Sequence, residues 1–332
     1  MSDINLLPSN FSHIYVEEKA FDYEMTSSIL SHFNKSAVVK IRHYKDVFNR
    51  PGQDAALQDV SKNLILAVNS GKKIFAASSM CQDFGMGNFY YAESAMNCVF
   101  SCDYCFLKGM YPSSNIVIFV NSDDYIKECE DMLEQGPVYL CASFDTDIAA
   151  LSGFCPWKEI WERLALKHPE LTIEIRTKAV IKDVVSADNI IYAFTLSPDE
   201  VISEFEKKTP SLSSRFESVN CVMEKNGVVR LCFDPLIYVR NFDVCYNDFI
   251  DKTLKSIDFT RVRDVSIGTF RISSDYLSGL RKANPGSSVV LFPFDREDGF
   301  CVYPSKLRMR LIGIIKDKLE KAGYGSKLYV MS

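Results

Sequence analysis

The chain has 332 residues, of which 47% are hydrophobic and 24% are charged, and its formal net charge is −5. This composition is typical of a globular protein that is long enough for one large barrel or two domains. The acidic balance excludes a uniformly basic, sequence-nonspecific coat for nucleic acid, so any contact with DNA must come from a local basic patch.

The sequence shows no sign of export or membrane insertion. Its first residues lack the charged-then-apolar order of a signal peptide, and no apolar run approaches the ~20 residues that span a bilayer. The 11 cysteines are odd in number and have no paired spacing. We therefore expect reduced thiols and a cytoplasmic location.

In chain order, the first predicted elements form a smaller layer of strands and helices. We predict that residues 1–88 form an N-terminal α/β extension that packs on a larger body over residues 89–332. Residues 89–92 are predicted as the first strand of that body, and they lead into a loop with three cysteines.

The loop has the spacing Cys98-x3-Cys102-x2-Cys105, with Tyr104 directly before the last cysteine. Three thiolates in one short loop can bind one inorganic centre, and thiolates favour iron–sulfur clusters or zinc. Three ligands leave one iron of a 4Fe–4S cluster open for the amino and carboxylate groups of S-adenosylmethionine. Reductive cleavage of that cofactor yields a 5′-deoxyadenosyl radical. The motif therefore predicts radical S-adenosylmethionine chemistry.

A zinc site is the alternative for this loop. Structural zinc usually takes four protein ligands in two close pairs, and no second pair stands in the chain. The four histidines are scattered, at His13, His32, His43 and His168. The ligand count therefore favours the cluster over zinc.

Downstream of the loop, strand-like and helix-like segments alternate, which predicts a parallel α/β sheet or barrel. Several predicted strands are apolar nearly throughout, as strands buried on both faces are. Strands are predicted at residues 115–121, 137–142, 171–176, 190–196, 228–234, 265–270 and 288–292. Helices are predicted at residues 123–134, 157–166, 211–225, 247–256 and 304–322, and a hairpin at residues 293–303.

Polar residues follow several of these strands. In a parallel barrel, chemistry takes place at the carboxyl ends of the strands. The polar loop at residues 143–147, Lys178, Thr195 and Ser197 are therefore candidates, and Lys178 could contact the carboxylate of S-adenosylmethionine. Polar loop residues also cap helices and satisfy backbone groups, and this ordinary role is the alternative for each candidate.

The sequence resembles the spore photoproduct lyase family of radical S-adenosylmethionine enzymes. The resemblance covers almost the whole chain, and the collinear order of its segments distinguishes this family from the wider superfamily. Besides the cysteine loop, the segments are residues 13–17, 118–124, 146–148, 176–178, 194–197 and 234–238, with the last helix and strand. The resemblance implies a partial (β/α)6 TIM-like barrel with an N-terminal α/β extension.

The implied activity is direct reversal of 5-thyminyl-5,6-dihydrothymine, a thymine dimer that ultraviolet light forms in dry spore DNA. In the family mechanism, the deoxyadenosyl radical takes hydrogen from C6 of the lesion. The linking bond breaks, and the protein returns a hydrogen atom to the thymine radical. The resemblance also implies a monomer in the cytoplasm of the spore core, with an electron donor such as flavodoxin or ferredoxin.

The resemblance also implies roles for individual residues. The S-adenosylmethionine contacts carried over are Thr146, Lys178 and Thr195, and Ser197 at the same strand end is added as a candidate. Tyr104 matches a tyrosine beside the hydrogen donor. The second relay tyrosine of better-known members falls at Phe106 here, and their donor cysteine falls at Phe144. The chain therefore departs from that donor pathway.

Two other cysteines could supply the hydrogen atom. Cys81 lies in a segment, residues 79–85, that resembles the clostridial-type branch of the family, in which the donor precedes the cluster. Cys141 precedes Phe144 by three residues, and strand alternation predicts that it points to the opposite face, into the core. Core packing is also the alternative for Cys81, because free cysteine is commonly buried. Another donor, including Tyr104, stays open.

A local basic region lies near the C-terminus. It consists of Arg296 in the predicted hairpin and of Lys306, Arg308 and Arg310 at the start of the last helix. The resemblance implies that this region contacts the lesion strand, from which the damaged base must be flipped. Positions 306, 308 and 310 do not share one helix face, so only part of the set can contact DNA. A solvated helix face is the alternative.

The sequence therefore predicts a DNA-repair lyase that uses a 4Fe–4S cluster and S-adenosylmethionine. Two alternatives stay open. One is a radical S-adenosylmethionine enzyme of the same family that acts on another substrate, and the other is a non-catalytic iron–sulfur or zinc protein that only binds DNA. Cleavage of S-adenosylmethionine would separate enzyme from binder, and turnover of a thymine-dimer dinucleotide would separate the two enzymes.

Overall fold

The computed structural model describes residues 11–78 and 81–331. The chain divides into two compact units. Unit 1 comprises Met1–Val99 and Met110–Arg176, and unit 2 comprises Phe100–Gly109 and Thr177–Ser332. This division is not the predicted one at residue 88, which stays a prediction.

Strands form the frame of both units. In chain order they are β1 (His13–Glu17), β2 (Ala37–Ile41), β3 (Leu64–Ala67), β4 (Ile74–Ala76), β5 (Phe89–Ala92), β6 (Ala95–Met96), β7 (Ser101–Cys102), β8 (Ile116–Phe119), β9 (Val138–Cys141), β10 (Leu171–Thr177), β11 (Ile190–Thr195), β12 (Glu206–Lys207), β13 (Val228–Leu236), β14 (Val262–Thr269), β15 (Arg271–Ser273), β16 (Asp295–Glu297), β17 (Phe300–Val302) and β18 (Leu328–Met331).

Helices connect most of these strands. In chain order they are α1 (Glu24–Ser31), α2 (Lys45–Phe48), α3 (Ala55–Val60), α4 (Leu107–Met110), α5 (Ser122–Leu133), α6 (Trp157–Lys167), α7 (Asp199–Phe205), α8 (Leu212–Glu224), α9 (Phe242–Ser256), α10 (Ser274–Ala283), α11 (Ser288–Leu291) and α12 (Ser305–Lys321). Within residues 11–78 and 81–331, no helix is long and apolar enough to cross a membrane.

Unit 1 contains two groups of mainly parallel strands. In the first group, β2, β1, β3 and β8 pair in parallel in this order, and β6 joins β8 in antiparallel orientation. In the second group, β5, β9 and β10 pair in parallel, and β4 joins β5 in antiparallel orientation. The strands β3, β8 and β9 are buried along their whole length, as expected for strands covered on both faces.

Two tryptophans attach α6 to the rest of unit 1. Trp157 and Trp161 are both fully buried. Their indole N–H groups donate hydrogen bonds to the Phe119 carbonyl at 2.9 Å and to the Ser94 hydroxyl at 3.0 Å. Because a buried indole N–H needs an acceptor, these bonds fix the helix at the end of β8 and at the segment before β6.

Unit 2 is built on the parallel strands β11, β13, β14 and β18, paired in this order. A small antiparallel sheet follows, in which β17 lies between β15 and β16. The second half of the cysteine loop also belongs to this unit, because β7 pairs with β12 in antiparallel orientation.

The α/β fold with parallel strands is confirmed, and the predicted hairpin at residues 293–303 forms as β16 and β17. One predicted strand is wrong, because residues 288–292 contain α11 instead. Val289 and Val290 are both buried there. A strand would point adjacent side chains to opposite faces, whereas a helical turn can bury both.

Gly109 in α4 and Gly313 in α12 should respond oppositely to alanine. A Cβ atom at Gly109 would lie 2.2 Å from the carbonyl oxygen of Tyr276, whereas one at Gly313 would meet nothing within 4 Å. We expect Gly109→Ala to lower the free energy of unfolding by about 2 kcal/mol through overpacking. Gly313→Ala should raise it by about 1 kcal/mol, because alanine favours the helix. Denaturant unfolding measures both, and effects of the same sign would contradict this packing.

Candidate active site

A buried carboxylate, Glu206, is the centre of the polar groups in unit 2. It is 1% exposed at the start of β12. The hydroxyl groups of Tyr104 and Ser197 both donate to its Oε1 atom, the second at 2.7 Å. The guanidinium of Arg215 donates to Oε2 at 2.5 Å. Both oxygens of the carboxylate are therefore occupied by donors.

Arg215, on α8, is fully buried and uses its remaining donors on the protein. It donates to the carbonyl oxygens of Thr195 at 3.2 Å and Pro210 at 3.1 Å, and to the Thr209 hydroxyl at 2.7 Å. Burial alone would raise the pKa of Glu206, but Arg215 and Lys178 lower it to about 2. The Glu206 carboxylate is therefore ionised at neutral pH, in a fully hydrogen-bonded ion pair.

Lys178 follows β10 and lies over the ring of Tyr104. Its ammonium nitrogen is 5.3 Å from the ring centroid, within the range of a cation–π interaction. Burial opposes the charge of Lys178, but Cys102 and Glu206 raise its pKa above the usual value of 10.5. Unit 2 thus brings Tyr104, Lys178 and Ser197 together beside Cys102.

The three cysteines of the loop were predicted to bind a 4Fe–4S cluster. The chemistry of these donors fits such a cluster, because three thiols lie within eight residues. Cys102 and Cys105 lie near enough to each other for charge on one to raise the pKa of the other. Cys98 belongs to unit 1, where its carbonyl oxygen accepts a hydrogen bond from the Lys62 ammonium at 2.6 Å. Within residues 11–78 and 81–331, no group of three His, Cys, Asp or Glu side chains has metal-binding geometry.

In unit 1, buried polar atoms without hydrogen-bond partners are concentrated in the loop after β9. Among the described residues, no partner is found for the hydroxyl groups of Ser143 and Thr146. The Tyr111 hydroxyl lies beside the Asp145 carboxylate, and no other hydrogen-bond partner is found for either group among those residues. Buried polar atoms are nearly always paired, with protein, ordered water or ligand. Thr146 is one of the predicted S-adenosylmethionine contacts, so its hydroxyl is available for one.

Asp145 has an unusual electrostatic environment. It is 1% exposed. Burial and the nearby carboxylate of Glu93 raise its pKa to about 7, and the Tyr111 hydroxyl beside it opposes the shift only in part. The side chain therefore titrates near neutral pH, which is common at functional sites.

The candidate hydrogen donors Cys81 and Cys141 are both in unit 1. Cys141 ends β9 and pairs across the strands with Tyr91, whose ring stacks on Phe144 with centroids 4.3 Å apart. Paired residues share a face of the sheet. Because β9 ends at Cys141, the alternation of side chains along a strand does not determine on which side of the sheet Phe144 lies. Burial is the main cause that raises the pKa of Cys141 to about 12, and Cys81 adds to the shift from nearby.

The predicted DNA contacts divide into two groups. Arg296 in β16 and Lys306 in α12 are exposed. Arg308 donates to Glu297 at 2.7 Å. Arg310 donates to Asp243 at 2.5 Å. Arg308 and Arg310 thus form ion pairs within the protein, although 63% of the Arg310 side chain is exposed.

The family model for spore photoproduct lyase matches residues 10–273 of the chain. The chain belongs to the spore photoproduct lyase family. No curated protein matches it.

Solved structures of spore photoproduct lyase share the fold of this family member. A complex with dinucleoside spore photoproduct is 15% identical, with a TM-score of 0.80. A double mutant with bound AdoMet and dinucleoside spore photoproduct is 16% identical, with a TM-score of 0.80. A single mutant with the same dinucleoside is 16% identical, with a TM-score of 0.81. Each alignment covers 97% of this chain and 98% of the other.

Sequence reasoning missed Glu206 and Arg215. The two residues are nine positions apart, and neither belongs to a motif that marks a buried pair. In the sequence they do not differ from the charged residues that cover ordinary helices. Their importance appears only when β12 places the carboxylate next to Tyr104.

Asp145→Asn should stabilise this family member more at pH 8 than at pH 5. The pKa of Asp145 is about 7 in the folded protein, against an ordinary value of 3.8 for an aspartate in water. The folded state therefore keeps a proton that the unfolded chain releases between those values, and stability falls as the pH rises through that range. Asparagine is neutral at both pH values. Thermal unfolding should show a clearly larger increase in Tm at pH 8. An equal effect of Asp145→Asn at both pH values would refute the raised pKa.

Proposed function

We propose that this protein is a radical S-adenosylmethionine lyase that converts spore photoproduct in DNA back to two thymines. The family match supports this function, as does the fold shared with lyase structures that hold the lesion dinucleoside. The observation that carries the proposal is the arrangement in unit 2, where Tyr104, Lys178 and Ser197 meet around Glu206 beside Cys102.

Cys98, Cys102 and Cys105 are the proposed ligands of a 4Fe–4S cluster. When bound, the cluster supplies the electron that cleaves S-adenosylmethionine to the 5′-deoxyadenosyl radical. The protein supplies the thiols, and it places the Lys178 ammonium close to Cys102 and Cys105. A cation at this position can bind a carboxylate of the cofactor through a charge-assisted hydrogen bond.

The other proposed cofactor contacts are Thr146, Thr195 and Ser197. The Thr146 hydroxyl has no partner among the described residues, so it can donate or accept a hydrogen bond. The Ser197 hydroxyl already donates to Glu206, so it would serve the cofactor as an acceptor. Thr195 has its carbonyl bonded to Arg215, so its side chain is the group proposed for contact.

The proposed hydrogen donor is Cys81, with Cys141 and Tyr104 as the other candidates. A thiol suits this step because it can give a hydrogen atom to a carbon radical and recover it from water by exchange. Cys81 is partly exposed, whereas Cys141 and Tyr104 are buried. Partial exposure favours Cys81, because its thiol can reach substrate and solvent.

The hairpin of β16 and β17 is the proposed contact for the lesion strand. Arg296 and Lys306 are exposed cations that can bind phosphate, whereas Arg308 would first have to leave Glu297. We also propose action during sporulation, in the cytoplasm of the spore core, by a monomer that receives electrons from a flavodoxin or ferredoxin.

A second candidate function is the same radical chemistry on another substrate. The observation that favours it is Phe144, which stacks on Tyr91 at the position where better-known members carry the donor cysteine. Phe106 likewise replaces their second relay tyrosine. A substrate other than the lesion, with a different radical to accept the final hydrogen atom, would be consistent with Phe144 and Phe106. Turnover of the lesion distinguishes the two candidate functions.

Replacement of Cys98, Cys102 or Cys105 by alanine should abolish cleavage of S-adenosylmethionine. Each change removes one of three ligands, so an anaerobically prepared variant should lose the cluster while its far-UV circular dichroism stays close to wild type. Cys221→Ala on α8 is the matched control and should keep normal cleavage. Iron analysis and release of 5′-deoxyadenosine are the measurements. Stoichiometric zinc without iron in the wild type would refute the cluster.

Cys81→Ala should change the product of the reaction more than its rate. The lesion should still be consumed, but the thymine radical should be quenched by other species and accumulate as adducts. Wild-type protein in deuterated water should place deuterium in the repaired methyl group, because a thiol exchanges its hydrogen with solvent. Mass spectrometry of the products measures both effects.

Cys141→Ala is the control for this experiment and should give clean thymine, with some loss of stability. If Cys141→Ala gave the adducts and Cys81→Ala gave clean thymine, the two roles would be exchanged. If neither variant gave adducts, both thiols would be excluded as the donor.

A further inference from the structure

The second half of the cysteine loop is held by the segment that carries Glu206. Cys102 pairs with Glu206 in antiparallel orientation, and the amide of Asp103 donates to the Phe205 carbonyl at 2.8 Å. The Asp103 carboxylate binds the Lys207 ammonium at 3.1 Å. The segment 205–207 thus contacts the loop through both backbone and side chains.

Tyr104 is the loop residue whose side chain this segment orients. Its hydroxyl donates to Glu206, and its ring lies under the Lys178 ammonium, with Phe270 at 6.3 Å edge to face. Tyr104 is 5% exposed. A buried hydroxyl with one acceptor has one favourable orientation, so the carboxylate of Glu206 determines where the phenol points.

We propose that Glu206 is a positioning residue for the reaction: it fixes Tyr104 and the loop around it before substrate binds. The inference rests on the proposed function for its consequence, because Tyr104 lies between two proposed cluster ligands. Glu206 itself acts through Tyr104 and the loop. Enzyme reactions lose rate and selectivity when the reacting groups move by about 1 Å. A fixed orientation of the Tyr104 phenol therefore keeps the product of the radical step uniform.

Stability alone does not require an acceptor at position 206. A buried ion pair is often replaced by apolar residues of similar size at little cost, provided that both charges are removed together. Removal of Glu206 alone would leave the fully buried Arg215 without its counter-charge. Paired replacements can therefore separate the orientation of Tyr104 from the stability of the ion pair.

Two double variants make this separation. The first combines Glu206→Gln with Arg215→Met, and it keeps a carbonyl oxygen that can accept from Tyr104 and Ser197. The second combines Glu206→Leu with Arg215→Met, and it removes the acceptor. Both lose the bonds that Arg215 makes to Thr195 and Pro210, so the difference between them reports on the acceptor alone.

The first measurement is amide hydrogen exchange of residues 101–105 in protein without cluster. We expect exchange about tenfold faster in the Leu/Met variant than in the Gln/Met variant, which is the effect of one lost hydrogen bond. Tyr104→Phe leaves the Glu206–Arg215 pair intact and should show the same faster exchange as the Leu/Met variant. If the Leu/Met variant does not fold, Tyr104→Phe replaces it in the comparison. Equal exchange in all these proteins would overturn the proposal.

The second measurement is the product distribution with the lesion dinucleoside. The Leu/Met variant should give a several-fold larger fraction of misquenched adducts per 5′-deoxyadenosine released than the Gln/Met variant. Equal fractions would overturn the role in positioning. If the wild type cleaved S-adenosylmethionine but left the lesion intact, the proposed substrate would be wrong, and amide exchange would then decide the role of Glu206 by itself.

Discussion

The buried ion pair of Glu206 and Arg215 is the interaction on which the arrangement of unit 2 depends. Neither charge is exposed to water, so each must be fully hydrogen-bonded to remain in the interior. Tyr104 and Ser197 donate hydrogen bonds to Glu206. The carbonyl groups of Thr195 and Pro210 accept hydrogen bonds from Arg215. The cost of burying two charges thereby fixes the ends of β11 and of the cysteine loop.

In unit 1, by contrast, the loop after β9 contains buried polar groups that are not fully hydrogen-bonded. There the side-chain oxygens of Thr146 and Ser143 are buried without partners among the described residues. Asp145 has the Tyr111 hydroxyl beside it, and burial still raises its pKa to about 7. Such groups lower the stability of the free protein. Sites that bind ligands commonly accept this cost, because the ligand supplies the missing partners.

Much of the fold could be predicted from the sequence, because buried parallel strands leave a strong apolar signal. The strands β9 and β11 lie within the predicted ranges, since each is a short apolar run flanked by polar residues. Helix α9 begins five residues before the prediction, at Phe242, because its first turn lacks a capping side chain that would mark the start. The strand predicted at residues 288–292 is wrong because a short apolar segment, here with two valines, has the same composition in a strand and in a buried helical turn.

The candidate site could be predicted only in part. The spacing of the cysteines and the polar strand ends identified Tyr104, Lys178 and Ser197, because each is local to a motif or a strand. Glu206 and Arg215 could not be found in this way, since their role depends on tertiary pairing of β7 with β12. Cys141 is buried, as strand alternation predicted, whereas Phe144 lies beyond the end of β9, where alternation no longer applies.

Turnover of dinucleoside spore photoproduct by the reduced, cluster-loaded protein tests the central claim most directly. With S-adenosylmethionine present, the account predicts that the lesion is converted to thymine while 5′-deoxyadenosine is released, and that omission of S-adenosylmethionine stops both. Release of 5′-deoxyadenosine with the lesion unchanged would contradict the assignment of spore photoproduct as the substrate.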